Sequence, residues 1–230
     1  MAKRPVFAPY RDKVGVEEKL IDFKWYSGFA VSQKQKSIQS LHKEAQVFGY
    51  HDLLEISSKS EDELGVSMSA FNLTITTKKH NRSFSVESAF QGSKVFERGG
   101  PYTDLFMVDS LTAKRDIRIK ESGNLISFKF FNQSFPNEPR TFFYDWLYIN
   151  ALVQNTDICN SIRDYDGFTD IEFNPEKSIN CQAHAVALYR SLVHNGVLQQ
   201  ALSSPSEFLA LTSEHYERQK RNVTIQKHMF

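Results

Sequence analysis

The sequence predicts an α+β fold: one compact domain, mainly helical, with short strands and hairpins. Segments with strand-like alternation are short and do not take turns with the helical ones, so a parallel sheet of βαβ units is not expected. Apolar residues make up 40% and aromatics 13% of the 230 residues, enough for a sizeable core. No repeat, low-complexity linker or composition shift divides the chain. The domain is placed at residues 1–210, and 211–230 reads as a polar C-terminal tail that frays.

In chain order, Phe23–Trp25 alternates weakly and reads as a strand. Ser32 is an expected N-cap for a helix in which Ile38, Leu41, Ala45 and Phe48 recur at helical spacing, with Gly49 as the stop. Leu53–Ser57 and Leu73–Thr77 read as strands. A polar turn, Lys78–Arg82, leads into a helix capped by Ser85, with Glu87 in the first turn, where an acid suits the helix dipole. This helix is expected to run past Val95 and stop at Gly99-Gly100-Pro101. Ile117 and Ile119, Glu121–Asn124, and then Ile126, Phe128 and Phe130 read as a hairpin. Pro136 and Pro139 precede an aromatic helix, Thr141–Asn150. Phe168–Phe173 reads as a short strand, a helix runs from Asn180 through Tyr189 to Gly196, and Ser204-Pro205 opens the last helix. The 19 Phe residues read mostly as packing.

Lys plus Arg (28) nearly balances Asp plus Glu (27), whereas a protein holding nucleic acid by charge alone carries a larger excess. The first 45 residues lean basic, with Lys3, Arg4, Arg11, Lys13, Lys19, Lys24, Lys34, Lys36 and Lys43; this is either a modest polyanion patch or a solvated face. No run approaches the ~18 apolar residues of a membrane span, and the N-terminus has no apolar signal region. With only Cys159 and Cys181, the chain reads as a soluble protein of a reducing compartment, the cytoplasm.

No P-loop, dinucleotide glycine fingerprint, nucleophile elbow or zinc-protease motif is present. Cys181 and His184 are two ligands without partners, and they read as a packed thiol and an incidental imidazole. No metal and no cofactor is expected. His42, His215 and His228 show no partner in the sequence.

The most informative stretch is Ser85–Phe96. On a helix, Glu87, Gln91 and Lys94 fall in one row at spacings of four and three, beside an apolar stripe of Val86, Ala89, Phe90 and Val95. Two readings stand: a solvated helix face, or an acid, an amide and an amine held in register as an active-site wall. Gly92 inside the helix costs ~1 kcal/mol relative to Ala, which suggests close approach to the backbone there. The flanking Ala89-Phe90 and Val95-Phe96 are too apolar for an exposed helix.

This segment resembles the central helix of the NADAR (YbiA-like) family, which carries an aromatic, Ser/Thr, Glu, then Gln, Lys and an aromatic. Ser69-Ala70-Phe71-Asn72 sits where the family has a Ser-Asn-Phe motif, and Asp170-Ile171-Glu172 and Asn180 look like its late acidic strand and Asn-containing helix start. The wider match is to the NADAR antitoxins paired with DarT-type DNA ADP-ribosyltransferase toxins. It includes Lys3–Phe7, Phe29–Lys36, Leu54–Lys59, Gly99–Tyr102, Phe143–Trp146 and Phe168–Pro175, and covers roughly residues 3 to 200. One departure is Phe173–Ile179, which replaces the Trp-Gly and Gly-rich loop common in the wider family.

The resemblance implies an antitoxin-type ADP-ribosylglycohydrolase. It would remove ADP-ribose from guanine bases in DNA, pair functionally with a DarT-type toxin, and release ADP-ribose. The catalytic residues carried over are Lys94 and Glu87. Gln91, Ser69, Phe71, Asn72, Asp170, Glu172 and Asn180 are carried over as substrate-binding residues. Lys94 is expected either as a nucleophile forming a Schiff base with the opened ribose or as a cation that binds phosphate or the leaving group. The first role needs a neutral amine, and only roughly 0.04% of an unperturbed lysine is neutral at pH 7. Phe71 is expected either to stack on a ring or to pack in the core; Tyr144 and Trp146 read as core. The same chemistry on free nucleotides, a non-enzymatic toxin-binding antitoxin, and a plain nucleic-acid-binding domain remain as alternatives.

Overall fold

The chain opens with a hairpin that the sequence hides: β1 (Ala2–Pro9) pairs antiparallel with β2 (Val16–Phe23) from Ala2↔Phe23 to Pro9↔Val16. In the computed structural model, residues 1–77, 81–176 and 178–226 are described. The expected strand Phe23–Trp25 overlaps only the last residue of β2. Val6, Phe7 and Ala8 are buried in succession, so β1, covered on both faces, shows no alternation. Helix α1 (Val31–Ala45) lays Ile38, Leu41 and Ala45 on Val6, Ile21 and Phe23. Its N-cap is Ala30 rather than Ser32; a 3-10 turn, Gln46–Phe48, leads to Gly49, whose φ of 88° ends it.

β3 (Leu53–Glu55) and α2 (Glu63–Ser67) lead to a second hairpin, β4 (Thr74–Thr76) with β5 (Ser83–Ser85). Of the turn expected at Lys78–Arg82, residues 78–80 lie outside the described residues. Helix α3 (Val86–Gly92) starts on the expected cap, Ser85, whose Oγ accepts from the Ser88 amide. It then stops early. Lys94 is therefore not helical but opens β6 (Lys94–Phe96), paired Lys94↔Phe128 across the sheet. Long-range pairing overrides the local helical spacing here. Gly92 does mark a close approach, because a Cβ there would sit 2.6 Å from the Phe106 ring.

Next come α4 (Ser110–Arg115) and α5 (Arg118–Glu121). The hairpin expected from Ile117 is half wrong. Asp116 Oδ1 accepts from the Arg118 amide and starts a helical turn, and Ile117 is 58% exposed, so its alternation with Ile119 carried no burial signal. β7 (Leu125–Phe130) is the real strand, held between β6 and β8 (Gln133–Pro136). The aromatic helix is α6 (Phe142–Leu152), buried on all sides, with Phe90, Phe128 and Phe135 around Phe143. The short α7 (Thr156–Ser161) follows.

β9 (Gly167–Thr169) pairs parallel with β3 and antiparallel with β1, giving a sheet ordered β2-β1-β9-β3. It is shorter than expected, so Asp170 and Glu172 lie on the loop that follows. Helix α8 (Gln182–His194) starts two residues after Asn180. Then come α9 (Leu198–Ala201) and α10 (Pro205–Gln226). The tail boundary at 211 is corrected: α10 continues through it and buries Thr212, His215 and Tyr216. Helix takes 44% of the chain and strand 20%, which is the α+β class expected. Among the described residues, no helix is long and apolar enough to cross a membrane.

Candidate active site

The wall of the site is α3, and all seven of its residues are buried. Val86 and Ala89 hold it in the core. Its first-turn amides are satisfied by a turn of the preceding chain: Val86 N–H donates to the Leu73 carbonyl and Glu87 N–H to that of Ala70 (both 2.9 Å). The same turn presents Ser69 and Phe71. Gln182 fixes it from α8, accepting from the Ala70 amide (2.7 Å) while its own amide donates to the Ile56 carbonyl (2.5 Å).

Glu87, Gln91 and Lys94 form one hydrogen-bonded line although only two of them are helical. Gln91 Nε2 donates to Glu87 Oε1 (2.9 Å), and Lys94 Nζ donates to Gln91 Oε1 (2.7 Å). The amide thus separates the carboxylate from the amine. Lys94 Nζ also lies 4.7 Å from the centre of the Phe90 ring. Burial lowers its pKa to about 8, against the raising charge of Glu87 and with the help of Lys114. Lys114 Nζ sits 3.9 Å from Glu87 Oε1 and 5.1 Å from the Phe71 ring centre.

Glu87, Gln91, Ser69, Phe71, Asp170, Glu172 and Asn180 line one cleft of about 710 Å³. Lys94 opens onto a smaller adjoining hollow of about 310 Å³, and Phe90, Ile179 and Asn180 line both. Asn180 Oδ1 is buried there without a hydrogen-bond partner. Asn72 is not brought in. It is exposed, and its amide donates back to the Val66 carbonyl.

Asp170 is buried, and burial, then the nearby Glu55 charge, push its carboxyl well above the usual range. Its Oδ1 accepts from the Glu172 and Phe173 amides (3.0 and 3.2 Å), which shapes the loop. Glu55, also buried, pins the same loop through the Ile171 amide (2.8 Å) and the Thr169 hydroxyl (2.7 Å). Glu172 is half-exposed at the rim, 3.3 Å from the Ser58 hydroxyl and 4.0 Å from Lys59 Nζ.

Among the lining residues that sequence reasoning missed are three cations, Lys59, Lys114 and Arg115, and the amide of Gln182. A signal existed for two of them. Asp109 caps α4 through the Leu111 and Thr112 amides, and that cap could have placed Lys114-Arg115 at the end of a short helix. Tyr144, expected as core, is buried against Phe90 yet also lines the cleft, whereas Trp146 is core alone. Phe71 is only partly buried and faces the cleft.

Two histidines expected to lack partners have them. His42 Nε2 lies 2.8 Å from the Thr169 hydroxyl, and His215 Nε2 lies 3.0 Å from His184 Nε2. His228 lies outside the described residues. Cys181 is a buried thiol 3.9 Å from Asp170 Oδ2. Among the described residues, no cluster of three metal-ligating side chains occurs.

Together these features define an α+β domain whose buried helix sets an acid and an amide along a polar cleft, with an amine at the edge. Chemically, such a wall can exchange protons and offer a partly neutral amine beside bound cargo. The chain belongs to the NADAR family: over residues 2–222 it matches the group described as DarT1-associated NADAR antitoxins. No curated protein matches it.

Proposed function

We propose that this protein is a guanine-directed DNA ADP-ribosyl hydrolase that reverses modification by a DarT-type toxin. The observation that carries the reading is the Glu87–Gln91–Lys94 line, with the Lys94 amine held down to about 8 where two cavities meet. At pH 7 roughly a tenth of such an amine is neutral, a gain of about two-hundred-fold over an ordinary lysine. Glu87 works against this, but Gln91 stands between the two groups and burial dominates. The larger cleft takes the ADP-ribose: Lys59, Lys114 and Arg115 face its diphosphate, Phe71 offers a ring face, and Asn180 offers an unfilled acceptor to a ribose hydroxyl.

The linkage joins the anomeric carbon to the guanine amino nitrogen. A proton on the ring oxygen opens the ribose to an iminium. Neutral Lys94 adds to the anomeric carbon, losing a proton to Glu87, and the guanine nitrogen leaves with a proton. This leaves a lysine iminium, which water hydrolyses to ADP-ribose and free Lys94. One water is consumed and one carbon–nitrogen bond of the substrate is replaced by a carbon–oxygen bond.

Incubation with guanine-ADP-ribosylated DNA should release ADP-ribose. Borohydride should trap an adduct on the wild type and none on Lys94→Ala. An adduct that persists in Lys94→Ala removes the nucleophile role. Rescue of toxin-expressing cells by a Glu87→Ala/Lys94→Ala protein would instead favour a toxin-binding antitoxin without catalysis.

A further inference from the structure

We infer that the surface built from the end of β2 and the start of α1 docks single-stranded nucleic acid, guiding the strand that carries the modified base towards the cleft. The whole chain is nearly neutral, 28 cations against 27 acids, but the charge is not evenly spread. Between Asp22 and Glu44 it carries Lys24, Lys34, Lys36 and Lys43 and no acid at all. Asp22 itself is neutralised, 3.5 Å from Lys3.

Aromatic rings are interleaved with these cations. Lys34 Nζ lies 4.3 Å and the Arg4 guanidinium 5.4 Å from the Trp25 ring centre, and Lys24 Nζ lies 4.9 Å from that of Tyr26. Phe29 is fully exposed beside them, and Val31 is 48% exposed. A lone exposed apolar residue needs no explanation, but a cluster of rings and like charges does. Each lysine stacked on a ring sacrifices hydration, and the like charges repel one another. A flexible strand supplies the missing partner on both counts: phosphates for the cations, and base faces for the rings.

The patch also adjoins the cleft. Arg4 joins the patch at Trp25. Arg4 and Lys3 share a hollow with Asn174 and Pro175, shortly before Ser178, Ile179 and Asn180 of the cleft wall. Glu18, Asp22 and Glu176 also line this hollow, so the phosphates are met on the lysine side, at Lys24 and Lys34. The inference rests on the proposed function only for which strand is meant, since binding can be read with unmodified DNA.

The test is fluorescence anisotropy with an unmodified labelled oligodeoxythymidine and the full-length protein. Lys24→Glu/Lys34→Glu should weaken binding at least tenfold at low salt. It should also flatten the plot of log affinity against log salt by about 1.4, two phosphate contacts at about 0.7 each. Phe29→Ala, which removes a side chain with no packing to lose, should cost about tenfold with little change in salt slope. Both variants should release ADP-ribose from an ADP-ribosylated guanine mononucleoside as fast as the wild type. Unchanged oligonucleotide affinity in both variants overturns the inference, as does a loss confined to binding of the toxin polypeptide. A wild type inactive on every ADP-ribosylated substrate defeats the hydrolase reading, while the anisotropy still decides this one.

Discussion

The molecule contains two buried polar systems of similar composition. One is the cleft wall, Glu87–Gln91–Lys94. The other ties α10 to α6 and α8: Asp145 Oδ1 lies 3.2 Å from His184 Nδ1, its Oδ2 accepts from the Tyr216 hydroxyl (3.1 Å), and His184 Nε2 meets His215 Nε2 and the Gln219 amide (2.6 Å). The Val16 amide donates to His215 Nδ1 (3.4 Å). Burial and the neighbouring His184 hold His215 well below its ordinary pKa, and thus neutral. Each carboxylate, ring and amide in this second system has a partner among the described residues, and none of its members lines the cleft or the hollow beside Lys94. The cleft wall differs in having capacity left over: Glu87 Oε2 has no hydrogen bond among the described residues, Lys94 uses one of three donors, and Asn180 Oδ1 nearby has none. A closed network stabilises the fold, and an open one beside a hollow is available to a ligand.

Breaking each system should separate the two roles. Lys94→Ala should lower ADP-ribose release by 10³-fold or more if the amine is the nucleophile. It should not destabilise the fold, because it removes a poorly solvated amine. Lys94→Met should raise stability at pH 7 by on the order of 1–2 kcal/mol, a figure trimmed for the partial exposure of the amine. Asp145→Ala should do the opposite. It strands His184 and Tyr216 in the core and should cost about 3–5 kcal/mol in urea unfolding, with activity per folded molecule retained. Equal loss of activity per folded molecule in Asp145→Ala and Lys94→Ala would erase the distinction.

The two systems also differ in how far the sequence revealed them. Glu87, Gln91 and Lys94 were legible because their spacing is local, even though the helix carrying them was drawn too long. Ser85 as cap, α6 after its prolines and the opening of α10 at Pro205 were legible for the same reason. The second system was invisible: Asp145 and His184 lie 39 residues apart and His184 and His215 lie 31 apart, so only tertiary packing joins them. β1 was hidden by burial on both faces and by Pro5, and β6 by a partner strand that lies far along the chain. Asn72 was carried in by a motif but turned away by its own hydrogen bond to Val66. Motif spacing selects residues, whereas local backbone geometry decides where they point.

The pH response of the open system follows from Lys94. With its pKa lowered to about 8, the neutral amine increases about tenfold per pH unit below that value. The single-turnover rate on modified DNA should therefore climb from pH 6 to 8 and flatten above it. A lysine depressed in the folded state is more protonated in the unfolded one, so its contribution to stability rises with pH from about 8 to its unfolded value of about 10.4. Lys94→Met should abolish that part of the rise. A profile flat from pH 6 to 8 would mean that neutral Lys94 is not used in the rate-limiting step.

The smallest effect tests a link between the two kinds of system. Thr169 donates to Glu55, so its oxygen must accept from His42 Nε2–H, and the resulting chain of bonds ends on the loop that carries Asp170. Burial lowers the His42 pKa to about 4, so the ring is neutral at physiological pH. Below pH 6.5 the unfolded chain takes up the proton first, and stability should fall as pH drops from about 6.5 towards 4. His42→Gln keeps a donor for Thr169 and removes the titration. It should cost under about 1 kcal/mol at pH 7 and should lose less stability than the wild type between pH 6.5 and 4, measured by urea unfolding at each pH. Identical pH dependence in the two proteins would show that His42 does not carry the acid sensitivity, leaving the buried pair Glu55 and Asp170, whose like charges the loop holds together, as its source.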